Sequence, residues 1–330
     1  MTREMSTTSG RRLAILAGAL AGSLSAFAYA RYRRDLRRAH QRVSTGSEVV
    51  QTACGPIEYA VAGDAPPVLL VHGAGGGFDQ GMEFGEALAH NGFRIIAMSR
   101  FGYLRTPLPS DASSAAQADA HACLLDALGI ERASIVAASA GAPSSLQFAL
   151  RHPQRCSALV LVVPAAYAPR PEGAPPLQMP AWTELLFDTA LRSDFLYWSA
   201  IHVAPMLVGA AILATPKSVM QSASAEEKVR VNHVMNHVLP VSLRRLGLLN
   251  DASLVSTLER YELQEIRTPT LIVGVRDCLF GTFEPARYTA QHIPGARFLS
   301  YDTGGHLWVG HHEELVQEIT AFLKENAASS

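Results

Sequence analysis

Three residues of this chain combine a type and an order suited to acyl transfer: Ser139, Asp277 and His306. Ser139 stands in Ser134-Ile135-Val136-Ala137-Ala138-Ser139-Ala140-Gly141-Ala142-Pro143. A short β-branched run enters a serine held between small residues, and a helix-like stretch follows. The pattern is close to the G-x-S-x-G elbow, with Ala137 in place of the first glycine. A serine there projects its hydroxyl above the sheet, and its small neighbours let strand and helix backbones nearly touch. An earlier His-Gly loop, a later strand ending in Asp277 and a Gly-Gly-His ending in His306 accompany it in order.

Other residues carry weaker signals. Asp302 is a rival acid, but it lies only four residues before His306. His233 and His237 have the i, i+4 spacing that could hold a metal, yet no glutamate completes an H-E-x-x-H, so they read as a polar lid face. Arg100 and Arg105 could bind a substrate carboxylate and otherwise read as surface loop residues. Cys54, Cys123, Cys156 and Cys278 are widely spaced, so neither a disulfide framework nor a zinc site is expected. Cys278 follows Asp277 and reads as an inert thiol. Gly73-Ala74-Gly75 after a strand suggests a dinucleotide loop, but Phe78 stands where the third glycine should be, and no acid ends the next strand.

Positioning these groups requires strands alternating with helices. Apolar strand-like runs fall at residues 48–53, 56–62, 67–72, 93–98, 133–138, 158–163, 270–275 and 297–301. Helical spacing fills residues 79–90, 113–129, 140–151, 284–292 and 312–324. This alternation implies an α/β fold with a doubly wound, mainly parallel sheet. The order is interrupted once, at 169–266, by a Pro-rich stretch and then helical segments near 182–191, 195–202 and 206–213. That insertion reads as a helical lid. With 48% hydrophobic residues and a net charge of −1, the chain can bury a large core and shows no sign of a nucleic-acid partner.

The N-terminus is biased differently. After a tail, 1–12, residues 13–30 carry no charge, long enough for a membrane anchor. Residues 31–47 form a basic juxtamembrane linker with Arg31, Arg33, Arg34, Arg37, Arg38 and Arg42. The positive-inside rule then keeps the catalytic domain cytoplasmic, in contact with membrane lipid through the helix. The competing reading is export after signal cleavage near Ala28-Tyr29-Ala30. Gly18 and Gly22 form a G-x-x-x-G of the kind seen on helix-dimer faces, though that spacing often arises by chance in an Ala-rich helix.

From residue 48 to 325 the chain resembles the α/β-hydrolase superfamily. The resemblance rests on five features in family order. They are Val71-His72-Gly73-Ala74-Gly75-Gly76-Gly77, Ser99-Arg100-Phe101-Gly102-Tyr103-Leu104-Arg105-Thr106, the Ser139 elbow, Asp277 and His306. Leu104 replaces a usual glycine. The resemblance implies a core in two parts, 48–168 and 267–325, around the lid at 169–266, with a tail at 326–330. In it Ser139 would attack, His306 would move the proton, and Asp277 would orient the imidazole. Backbone N–H groups of Ala74 and Ala140 would hold the oxyanion, and His72 would brace the loop. No metal or organic cofactor is implied. The expected activity is hydrolysis of a small apolar carboxylic ester. The alternatives are carbon–carbon bond hydrolysis, perhydrolysis, or a non-catalytic, membrane-tethered binding role. Substrate identity and oligomeric state are not legible.

Overall fold

The computed structural model describes residues 4–169 and 191–327. A long helix, α1 (Glu4–Ser44), leads into the hairpin β1 (Glu48–Thr52) and β2 (Gly55–Ala62). Then follow β3 (Pro67–Val71), α2 (Phe78–His90), β4 (Arg94–Met98), α3 (Ser114–Ala127), β5 (Ala133–Ala138), α4 (Ala142–Arg151) and β6 (Cys156–Val162). The insertion contributes α5 (Asp194–Val203), α6 (Pro205–Ala211), α7 (Lys217–Ser222), α8 (Ala225–His237) and α9 (Arg245–Ser256). The chain closes with β7 (Thr270–Val275), α10 (Phe283–His292), β8 (Arg297–Tyr301) and α11 (His312–Ala327).

The strands form one sheet in the order β1-β2-β4-β3-β5-β6-β7-β8. Only the β1–β2 and β2–β4 pairings are antiparallel; β4 through β8 run parallel. The doubly wound, mainly parallel sheet expected from the sequence is therefore present. Buried runs such as Val68–Val71 explain it, because alternate side chains serve opposite faces. Leu69, Val71, Ile135 and Ala137 join a core with Leu124 of α3 and Leu146 of α4. Val68, Leu70 and Val136 join another with Leu88 of α2 and Leu315, Ile319 and Phe322 of α11. Each fully buried leucine contributes about 1.5–3 kcal/mol. The parallel strands all end on one edge of the sheet, where α/β folds place their ligands.

Helices α5 to α9 pack into a third apolar cluster that includes Tyr197, Trp198, Ile201, Val231, Met235 and Leu248. The C-terminal half of α1 belongs to it. Ala39 is buried there, Tyr32 meets Phe195 and Trp198 edge-on, and Trp198 Nε1 donates to Asp35 at 3.2 Å. Arg42 reaches Asp79 at 3.1 Å. The basic linker expected at 31–47 is thus helical as far as Ser44 and docked on the inserted helices. The helix expected at 182–191 and Pro171, Pro175, Pro176 and Pro180 lie outside the described residues, Leu191 apart.

Two expectations need correction. The membrane anchor at 13–30 is not supported as a span: among the described residues no helix is long and apolar enough to cross a membrane. The cysteines do form a bridge. Cys54, in the β1–β2 turn, is joined to Cys123 of α3, across 69 residues of sequence. Linear spacing missed it because the sheet edge, not a local motif, brings the two together.

Candidate active site

Ser139 lies where β5 passes into a single 3-10 turn ahead of α4, with a φ of 50°. A non-glycine residue held in this left-handed region costs on the order of 1–3 kcal/mol. Its neighbours hold it there: the Ser139 carbonyl accepts from Ala165 N at 3.0 Å. A Cβ on Gly141 would stand 2.6 Å from the Val71 carbonyl oxygen and 2.8 Å from that of His72, so only glycine fits two places after the serine. Two places before it, Ala137 is simply buried in the strand. The methyl that departs from the motif therefore meets no obstacle.

The loop after β3 lies against the serine. A Cβ on Gly73 would come within 3.2 Å of Ser139 Cβ. Gly75 N–H donates to Tyr103 Oη at 3.2 Å, and Gly76 N–H to the Gly73 carbonyl at 3.2 Å. Ala74 is exposed between them, and among the described residues its N–H has no hydrogen-bond partner. Ala140 is the second residue of the 3-10 turn, whose first N–H groups lack intrahelical partners. His72 braces this loop as expected. Its Nε2 accepts from Arg100 N at 3.0 Å and its Nδ1 meets the Gly73 carbonyl at 2.7 Å. Burial, with Arg100 nearby, pushes its pKa well below the ordinary value, so it stays neutral.

Arg100 is not a surface residue. It is 4% exposed and grips both Asp251 oxygens, at 2.7 and 2.6 Å, while its Nε donates to the His72 carbonyl at 2.8 Å. Tyr103 Oη joins the same carboxylate at 2.5 Å. Since Asp251 belongs to α9, the insertion is tied directly to the glycine-rich loop. Arg105 pairs with the buried Glu58 at 2.7 Å. Leu104, where the family pattern has glycine, holds a φ of 51°, a conformation glycine adopts more readily.

His306 reaches the serine from the loop after β8: its Nε2 lies 2.9 Å from Ser139 Oγ. Gly304 and Gly305 shape that loop with φ of 134° and 63°. Burial lowers the His306 pKa to about 4. The ring is therefore neutral at pH 7 and able to accept a proton from the hydroxyl.

Asp277 is placed beside this loop rather than on the ring. Its hydrogen bonds come from Gly305 N at 2.7 Å and Gly304 N at 3.3 Å. His306 Nδ1 instead faces the Cys278 thiol at 3.2 Å. Burial raises the Cys278 pKa, so the sulfur stays protonated. Thr282 Oγ1 donates to it at 3.2 Å. Phe280 covers the imidazole edge-on, its centroid 4.9 Å away. One carbonyl of the insertion, that of Ala214, accepts from both Leu279 N at 2.9 Å and His306 N at 3.3 Å. Asp302 is exposed and pairs with Arg276 at 3.1 Å.

The structure thus brings together Ser139 and His306 and sets Asp277 on the histidine loop. Sequence reasoning read Cys278 as inert without placing it against His306, and missed Ala214 and the Arg100–Asp251–Tyr103 cluster. For Cys278 the available signal was its place next to the acid. Asp251 carried none, because only the tertiary fold puts α9 on Arg100.

Residues 66–310 match the family model described as alpha/beta hydrolase fold. An uncharacterized hydrolase of Bacillus subtilis is 30% identical over 272 residues, 78% of this chain and 90% of that protein. A 2-hydroxy-6-oxononadienedioate/2-hydroxy-6-oxononatrienedioate hydrolase of Paraburkholderia xenovorans is 27% identical, across 83% of this chain and 90% of its own. Among solved structures, an alpha/beta hydrolase fold protein from Nakamurella multipartita superposes with a TM-score of 0.64 at 26% identity, covering 86% of this chain and 100% of that one.

Proposed function

Because the chain belongs to the α/β-hydrolase fold family and is a hydrolase of that fold, we propose that it cleaves an apolar carboxylic ester through an acyl-enzyme on Ser139. The observation that carries this reading is the 2.9 Å contact between Ser139 Oγ and the neutral His306 Nε2 at a left-handed elbow. As Ser139 Oγ attacks the ester carbonyl, His306 takes its proton and then returns it to the leaving alcohol. Water repeats the sequence on the acyl-enzyme and releases the acid. The N–H groups of Ala74 and Ala140 face the developing oxyanion. Asp277, by fixing Gly304 and Gly305, positions the imidazole, while Cys278 occupies its far nitrogen.

Carbon–carbon bond hydrolysis is the second reading, favoured by the name of the Paraburkholderia relative. A dianionic dienedioate would call for free cations at the pocket. The two arginines buried beside the glycine-rich loop are committed, Arg100 to Asp251 and Arg244 to Asp79 at 2.8 Å. Around the loop, Val238 and Leu248 approach Gly75, which favours an apolar acyl group.

A fluorophosphonate probe should label wild-type protein and not Ser139→Ala. Turnover of p-nitrophenyl esters of graded chain length should exceed turnover of a 2-hydroxy-6-oxo-dienoate. Preferential cleavage of the dienoate would transfer the assignment to carbon–carbon hydrolysis. Absence of both labelling and turnover would leave a binding role.

The proposal includes association with membrane lipid through α1. In that helix Leu16, Leu20, Leu24 and Phe27 are all exposed, and the arginines from Arg31 onward follow them. Full-length protein should sediment with membranes and be released by detergent. A soluble mature form beginning at Arg31 would overturn this part.

A further inference from the structure

We propose that Glu83, His233 and His237 form a site for a divalent transition-metal cation of the zinc class, which fastens the lid to the core. The two histidines sit one turn apart on α8, their ring centroids 4.4 Å apart. The carboxylate they lack in sequence comes from α2, 150 residues upstream. Glu83 Oε1 lies 2.7 Å from His233 Nδ1, and Oε2 lies 2.5 Å from His237 Nδ1. All the donor atoms fall within 4.8 Å of one another.

A second observation points to a cation. Glu83 Oε2 and His237 Nδ1 are both buried, and among the described residues neither has a properly directed hydrogen bond, although they touch. Two buried polar atoms thus touch without the angle that would satisfy them. Two imidazoles and one carboxylate suit zinc, cobalt or nickel, whereas calcium and magnesium prefer all-oxygen sites. Tetrahedral bonding sets ligand atoms about 3.3 Å apart, so the carboxylate and rings must separate by less than an ångström. His233 has room for this because its side chain is 61% exposed. On that side a solvent molecule would complete the coordination. Metal binds at Nδ1 of each neutral ring, and the proton of that nitrogen moves to Nε2; a ring that starts as imidazolium releases one proton to solvent.

The placement gives the site a consequence. Phe84, next to Glu83, packs against Trp308 with centroids 6.0 Å apart. Arg230, also on α8, donates to the Leu307 carbonyl at 2.7 Å. A cation between α2 and α8 would therefore hold the lid against the segment that carries His306, without contacting the reacting atoms.

The test uses full-length protein stripped with chelator and titrated with Zn2+ by calorimetry, with Co2+ as a spectroscopic probe. One equivalent of Zn2+ should bind and raise Tm; Co2+ loaded into the metal-free protein should show the intense visible bands of a tetrahedral site and lose them when Zn2+ displaces it. Glu83→Gln, His233→Ala and His237→Ala should each weaken binding at least tenfold, and Ser139→Ala should leave it unchanged. His233→Ala alters an exposed side chain and Glu83→Gln keeps the volume, so a folded comparison is available if His237→Ala proves unstable. Binding of equal strength in Glu83→Gln and His233→Ala would overturn the proposal, as would wild-type binding no stronger than theirs. Because Ser139→Ala is expected to bind normally, failure here is separable from failure of the hydrolase reading.

Discussion

The serine half of the candidate site and the histidine half are held in place by different kinds of contact. Around Ser139 the work is done by main chain: a strained φ, a carbonyl bonded to Ala165, and a glycine at 141 that admits the backbone of β3. Around His306 it is done by groups from two separate loops, namely the Asp277 carboxylate and Cys278 thiol after β7 and the Ala214 carbonyl of the insertion. Backbone positioning leaves a mark in the local sequence, because only small residues allow it. Side-chain positioning across loops leaves little, since several residues can reach the same nitrogen.

This contrast can be broken most directly at the reacting pair. Ser139→Ala should lower kcat by about 10⁴-fold or more while circular dichroism stays unchanged, and His306→Ala should do the same. The double variant should be little worse, because both act in one step. Additive losses would mean that the two halves work independently.

On the histidine half, the two neighbours of the histidine loop should differ. Asp277→Asn should reduce kcat by about 10²- to 10⁴-fold with KM little changed, since it disturbs the loop that aims the imidazole. Cys278→Ala should cost about tenfold or less, because a thiol is a weak partner for Nδ1. Asp302→Asn, in solvent, should change kcat by no more than about twofold. A larger loss in Cys278→Ala than in Asp277→Asn would make the thiol the main orienting group.

On the serine half, Gly141→Ala should destabilise the fold by about 1–3 kcal/mol in urea unfolding, because its methyl meets two carbonyl oxygens. Ala137→Gly removes only a buried methyl and adds chain freedom, and should cost about 1 kcal/mol. Equal costs would show that the close approach at residue 141 can relax.

A last way to sharpen the comparison is pH. His306 has its pKa lowered by burial from 6.5 to about 4, and that of His121 falls to about 3 for the same reason. Between these values and 6.5 the unfolded chain binds more protons than the native one, so stability falls as pH drops through that window. The His306 share is at most about 3 kcal/mol. The acid limb of kcat/KM should lie near pH 4 and shift little with salt, as burial rather than a neighbouring charge sets it. A limb near 6.5 would place the ring in solvent.

How much was legible follows the same division. The parallel strands were readable because β3, β5, β6 and β7 are near-continuous apolar runs bounded by turn residues. The elbow was readable from Ala137, Ser139 and Gly141, and the histidine loop from Gly304-Gly305-His306. The inserted helices near 195–202 and 206–213 were readable from their spacing. Their docking onto α1 through Trp198 and Asp35 was not.

By itself, the sequence determined the alternation of strands and helices, the placing of a serine at a strand-to-helix step, and the order in which an acid and a histidine follow it. These are local or ordinal properties, set by steric size and hydrophobic period within a few residues. Tertiary structure alone decided that Arg100 is buried on Asp251, that Cys54 meets Cys123, that Cys278 faces His306, and that Glu83 meets His233 and His237. Each of these depends on where the folded chain brings a loop or helix, and most join residues tens to more than a hundred positions apart. No periodicity encodes that distance, because it is fixed only when the sheet, the lid and α1 have packed together.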